Sequence, residues 1–234
     1  MKLRILVAVA LAVTLAACAK KSPTAPVVVT PAGPAATTPT GVVKRLAWAL
    51  QARDHVAYAE LFTDDYRFQF APGDSAGNAF RTSAWDRTLE AVAIQHMLSG
   101  GGAAPPVVDI KVTISDQLVA RADPRPGMSL RWRKAVRTPI DLKITMDVGG
   151  VPEVTSITGH ALFFVVRGDS AFFLPAREAE HDSTRWFISR WEDETAVGMS
   201  APGLHANPTR SATLGSVKVR YLSPAAPAAP AGPR

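Results

Sequence analysis

Cysteine is nearly absent: the 234 residues hold one, Cys18. A disulfide framework within the chain is therefore excluded, and a fold must rest on its apolar core alone. Aromatic residues make up 7% and charged residues 20%. The formal charge of +6 is modest, and no interleaving of basic and aromatic residues of the RNA-binding kind occurs, so nucleic acid is not an expected partner. The catalytic and cofactor motifs with a known mechanics are also missing. There is no phosphate-binding glycine loop, no dinucleotide fingerprint and no H-E-x-x-H. The five histidines, His55, His96, His160, His181 and His205, follow no ligand spacing, so neither a metal nor a cofactor is expected. No internal repeat is present.

What is there begins at the N-terminus. Lys2 and Arg4 precede an apolar stretch from Ile5 to about Val13, followed by Leu15-Ala16-Ala17-Cys18. A basic start, an apolar middle and small residues before a cut form a secretory signal. The apolar stretch is shorter than the roughly 20 residues a membrane-spanning helix needs. The pattern resembles a bacterial lipoprotein signal peptide with its lipobox. That resemblance implies cleavage before Cys18, a diacylglyceryl group on its sulfur and acylation of the new amino terminus. Two or more chains give stable membrane anchoring where one does not. Ala19, not Asp, follows the cysteine, which by the Gram-negative sorting pattern implies the outer membrane, facing the periplasm. Loss of Lys2 and Arg4 would leave 24 basic against 20 acidic residues.

Composition then divides the chain. Residues 1–17 read as signal peptide, and 18–40 as a lipidated cysteine with a tether rich in Pro, Ala and Thr. Such a segment buries too little apolar surface to fold, and its prolines let it reach ~60 Å at ~3.1 Å per residue. Residues 41–201 read as one domain, 202–223 as a C-terminal extension and 224–234 as a disordered Pro/Ala tail. Within the extension, Ser216–Leu222 reads as a last strand or a short docked segment.

The domain opens with Val43, Leu46, Ala47 and Leu50 at helical spacing, capped by Thr40. Asp54 caps a second short helix. Asp64-Asp65 reads as a solvated turn, after which Tyr66, Phe68 and Phe70 alternate as a strand. A third helix is expected from Ser83, with Asp86 three residues on, to the stop at Gly100-Gly101-Gly102. Strands follow at Val108–Ile114, Ile140–Val148, Val154–Arg167 and Trp186–Thr195, with Gly149-Gly150 as a hairpin turn. The order predicts an α+β fold, three N-terminal helices packed on a curved antiparallel sheet.

This order resembles the NTF2-like, or SnoaL-like, superfamily. The residues that carry it are Asp54–Phe70, where a helix runs through an acidic turn into an aromatic strand, the helix of Trp85–Leu98, and Trp186, Ile188, Trp191 and Asp193 in the closing strand. The resemblance implies a cone of sheet around a pocket. It leaves function open, because the superfamily hosts isomerases, dehydratases, hydrolases and non-catalytic binding domains. Candidate ligand-binding residues are Tyr58, Tyr66, Trp85, Arg190 and Trp191, each also able to be plain core. His160 and Asp65 are the candidates for a general base, His160 because imidazole titrates near neutral pH. Sheet parity places Trp186, Ile188 and Arg190 on one face and Phe187, Ser189 and Trp191 on the other, provided no bulge intervenes. Arg131, Arg133 and Arg137 share a strand face that would suit an anionic lipid or polymer, or serve as a solvated edge.

The expectation is a lipid-anchored envelope protein without catalysis, binding a small apolar ligand or an envelope protein. A homodimer is a further possible partner arrangement, and a SnoaL-like enzyme acting on a hydrophobic small molecule is the alternative.

Overall fold

A computed structural model describes residues 32–168, 182–195 and 209–222. Cys18, His181, His205 and the tail 224–234 lie outside them. Among the described residues no helix is long and apolar enough to cross a membrane.

The first helix, α1 (Pro39–Gln51), starts two residues earlier than Thr40 suggests. Thr38 is the cap, its hydroxyl accepting from the Gly41 N–H at 2.9 Å, and Pro39 needs no intrahelical partner at the first position. Val42, Val43, Leu46, Ala49 and Leu50 form its buried face. Upstream, Ala36 is also buried and its carbonyl accepts from the Trp186 N–H at 2.7 Å, so ordered packing reaches back into the proline-rich stretch. The second helix, α2 (His55–Ala59), is capped by Asp54 as expected.

The strand β1 (Phe62–Gln69) begins at once. Asp64 and Asp65 thus stand inside a strand rather than in a turn, both exposed beside a shift in its pairing register. A 3-10 turn (Ser75–Phe80) and the two-residue β2 (Trp85–Asp86) follow. The next helix, α3 (Arg87–Ser99), is capped by Asp86 on the Leu89 N–H at 3.0 Å, four residues later than the Ser83 start. Trp85 is consequently held next to Phe68 in the sheet, not on the helix. Gly100, at φ 89°, ends α3 in a conformation that favours glycine.

The remaining strands are β3 (Val107–Ile114), β4 (Ala120–Ala122), β5 (Arg133–Val148), β6 (Val151–Arg167), β7 (Trp186–Thr195) and β8 (Thr209–Ser211). Gly149 and Gly150, both at positive φ, close the β5–β6 hairpin as a two-residue turn. The sheet order is β2-β1-β7-β6-β5-β3, with β4 on β5 and β8 on β6. The expected antiparallel sheet is in fact mixed, since β1 runs parallel to β7 and β8 parallel to β6. The helix pattern also departs from three N-terminal helices. The second has five residues, and a fourth, α4 (Leu214–Leu222), is the last described element, a docked helix rather than the strand that was the other expectation there. Ser216–Leu222 alternates like a strand, yet Leu214, Val217, Lys218 and Tyr221 recur at helical spacing and all are buried.

A bulge decides the interior of β7. Val165 pairs Ile188 and Phe164 pairs Arg190, so Ser189 is an extra residue. It places Ile188 and Trp191 together in the core and turns Arg190 away, reversing the face expected for both Trp191 and Arg190. One apolar core results, with α1 on β3, β5, β6 and β7, α3 on β1 and β3, and α4 on α3, the 3-10 turn and β7.

Candidate functional site

The polar centre of the domain lies in its core. Glu90 and Lys218 are each about 1% exposed, one on α3 and the other on α4. The Lys218 ammonium stands 2.8 Å from Glu90 Oε1 and 3.0 Å from Oε2. The Tyr58 hydroxyl donates to Oε1, and Trp85 Nε1 donates to Oε2 at 2.8 Å. A carboxylate offers about four acceptor sites, and all four are engaged here. The ammonium also sits 3.7 Å from the centre of the Phe68 ring and 4.1 Å from that of Trp191, a geometry in which the ring quadrupoles attract a cation. Burial lowers the Lys218 pKa, opposed by the Glu90 charge. Burial first, and then the Glu90 charge, push the Tyr58 and Tyr66 hydroxyls well above the ordinary tyrosine value, so both stay neutral donors.

Local rules explain how these groups arrive. Glu90 falls on the face of α3 that buries Ala93, Ile94 and Met97, and Lys218 on the face of α4 that buries Leu214 and Tyr221. α4 is seated by its ends. Asp193 Oδ2 accepts from the Gly215 N–H at 3.1 Å, Thr195 Oγ1 from the Leu214 N–H at 3.2 Å, and the Thr213 hydroxyl donates to Asp74 at 2.5 Å. At the far end His96 Nδ1 lies 2.8 Å from the Tyr221 carbonyl, and the Tyr221 hydroxyl, pushed up to about 12 by burial, donates to the Pro105 carbonyl. Burial raises the Asp193 carboxyl against the lowering effect of its hydrogen bonds from Thr195 and Gly215.

One polar atom of this interior, Trp191 Nε1, has no hydrogen-bond partner, and Tyr66 Oη faces the same Glu90 carboxylate. A buried group without a partner costs about 1–3 kcal/mol. Four of the five ligand-binding candidates, Tyr58, Tyr66, Trp85 and Trp191, therefore belong to one centre, together with Glu90 and Lys218, which the sequence reading missed. The available signal was a single charge interrupting each apolar helical stripe.

The other candidates lie elsewhere. Arg190 is turned outward, where Nε pairs Glu192 at 2.7 Å and the guanidinium also meets Gln69. It lines a cleft of about 600 Å³ with Arg67, Phe70, Phe80 and Arg81. Asp65 is exposed and accepts from the Thr63 hydroxyl at 2.6 Å. His160 shares a sheet face with Arg137 and Leu162, opposite the face on which Ala161, Phe163 and Val165 enter the core, and lines a second cleft of about 540 Å³. It is therefore not a base for the interior. Of the three arginines, Arg131 precedes β5 and lies over the Trp132 ring, while Arg137 pairs Glu194 at 2.7 Å. Among the described residues no group of three His, Cys, Asp or Glu is placed to hold a metal.

The centre can hold a cation and is poorly arranged to move a proton. No acceptor site of Glu90 is free for a guest's proton, and Asp193 is committed to Thr195 and the start of α4.

No family model and no curated protein matches the chain. Solved structures with partial likeness include a conserved protein from Planctomyces limnophilus (19% identity, 67% of this chain and 92% of that one, TM-score 0.43). An NTF2-like superfamily protein from Salmonella enterica aligns at 10% identity over 72% of this chain and 93% of its own, TM-score 0.44. A ketosteroid isomerase-like protein from Erwinia carotovora aligns at 17% identity over 65% and 89%, TM-score 0.39.

Proposed function

We propose that the chain is a lipid-anchored envelope protein whose single domain, of NTF2-like type, binds a small molecule or an envelope partner without catalysis. The observation that carries the non-catalytic reading is the saturation of Glu90 by Tyr58, Trp85 and Lys218. General acid–base catalysis needs a titratable group within hydrogen-bond reach of the substrate and a free position on it. Glu90 has none, and the second buried acid, Asp193, is engaged by Thr195 and the Gly215 N–H. The anchor reading rests on the lipobox at Leu15–Cys18 and the outer-membrane reading on Ala19.

Two experiments test it. Metabolic labelling with a radioactive fatty acid should mark the chain, and persistent label in Cys18→Ala would refute Cys18 as the acylated residue. The full chain extracted from membranes in mild detergent should carry an unchanged small molecule or protein in stoichiometric amount, identified by mass spectrometry. Chemical conversion of that molecule on incubation with the chain would establish the enzyme reading instead. A chain that carries neither would remove the binding reading.

A further inference from the structure

We infer that the space occupied by Lys218 is the ligand site of the domain, that its ligand is an organic primary ammonium, and that α4 is the built-in competitor for it. The inference rests on the binding reading above and names its ligand class.

The cage is formed by α2, α3, β1, β2 and β7 without α4. Glu90 supplies the counter-charge, Tyr58 and Trp85 hold its carboxylate, and Phe68 and Trp191 present their rings. The occupant is the end of a lysine side chain, in chemical terms a butylammonium. Its ammonium contacts the two Glu90 oxygens and the two ring faces, the arrangement that recognises a desolvated cation. A buried ion pair is not needed for stability, since apolar residues of the same volume serve as well or better, so its presence here calls for another role.

A second observation points the same way. Trp191 Nε1 is buried and left without a hydrogen-bond partner by Lys218. The interior offers a donor that the built-in occupant does not use, and a ligand with an oxygen near its ammonium would.

The occupant is also separable. α4 has nine residues, fewer than the ~12–15 an isolated helix needs, so its helical form depends on docking. Its first residue follows the three-residue β8 by three positions, and its N-terminal amides are held by the Asp193 and Thr195 side chains rather than by strand pairing. A ligand that takes the cage therefore competes with both the docking and the folding of α4.

The test uses the full chain in detergent, with n-butylammonium as probe and n-butanol as its uncharged counterpart. Binding is read from the fluorescence of Trp85 and Trp191. Lys218→Ala should bind n-butylammonium saturably and at least about ten-fold more tightly than n-butanol, a preference abolished in Glu90→Gln/Lys218→Ala. The native chain should bind it more weakly than Lys218→Ala, with faster amide exchange in residues 214–222 as it binds. Equal affinity of Lys218→Ala for the two probes would overturn the cation assignment while leaving the binding reading intact. Equal affinity of the native chain and Lys218→Ala for n-butylammonium would overturn the competitor role of α4. If Lys218→Ala does not fold alone, recovery of its circular dichroism by n-butylammonium and not by n-butanol supports the inference, and failure of both to restore it refutes it. Turnover of a copurified molecule would instead remove the binding reading itself.

Discussion

Replacing Lys218 with methionine keeps an unbranched side chain in the core, with sulfur in place of the δ-methylene, and removes the ammonium. At 2.8 Å from Glu90 Oε1, and with an effective dielectric constant of about 20, the lost attraction is about 6 kcal/mol before the cost of desolvating the two charges. Breaking one partner out of a fully buried pair costs about 3–5 kcal/mol, because the other is left as an uncompensated buried charge. Lys218→Met and Glu90→Gln should each lose that amount. The double variant should lose clearly less than either single one, because no uncompensated charge is then left buried. Urea unfolding followed by tryptophan fluorescence measures all four chains, with the slope of stability against denaturant required to stay constant. Domains carry about 5–15 kcal/mol of stability, so the single variants should still show a folded baseline. Losses that add within about 0.5 kcal/mol, or a Lys218→Met loss below about 1 kcal/mol, would refute the placement of α4 with Lys218 against Glu90.

Three other outcomes follow from the same structure. Burial tends to raise the Asp123 carboxyl, but hydrogen bonds from the Arg125 guanidinium and backbone N–H overcome it and hold it below the ordinary value. A depressed pKa contributes stability above the unfolded value of about 3.9 that is lost as pH falls through the folded one. Asp123→Asn should therefore be less stable than the parent by about 1 kcal/mol near neutral pH, with the gap closing in acid denaturation series below pH ~4, and a pH-independent gap would count against the pairing. A Cβ on Gly215 would meet Phe70 Cδ1 at 2.4 Å and Asp74 Oδ2 at 2.8 Å. Gly215→Ala should lower the urea midpoint by the equivalent of about 1–3 kcal/mol, and an unchanged midpoint would deny the close seat of α4 on the 3-10 turn. Asp54→Ala should cost about 1 kcal/mol through the lost cap of α2, and Asp54→Asn only a fraction of it.

Most local elements were legible because their signals are contiguous. Asp54 as a cap, Gly100 as a stop and Gly149-Gly150 as a hairpin each depend on a few neighbouring residues and their backbone preferences. Where a neighbour could do the same work, the boundary moved. Thr38 caps α1 instead of Thr40, and Asp86 caps α3 directly instead of serving Ser83. For the site, apolar and aromatic character was enough to single out Tyr58, Tyr66, Trp85 and Trp191. It was not enough to exclude Arg190, because one inserted residue at Ser189 exchanges the faces of β7.

By itself the sequence determined the α+β class, the helical and strand periods, the lipobox pattern and the lack of a disulfide within the chain, all properties of composition or short spacing. Only the tertiary structure decided that β1 lies parallel to β7, that the last segment is a helix, and that Glu90 meets Lys218 across 128 positions. The physical reason is that local period tells which face of an element is buried but carries no record of its partner. A charge within an apolar stripe is tolerable only once its counter-charge is placed, and that placement is set by the packing of α4 against α3 and β7.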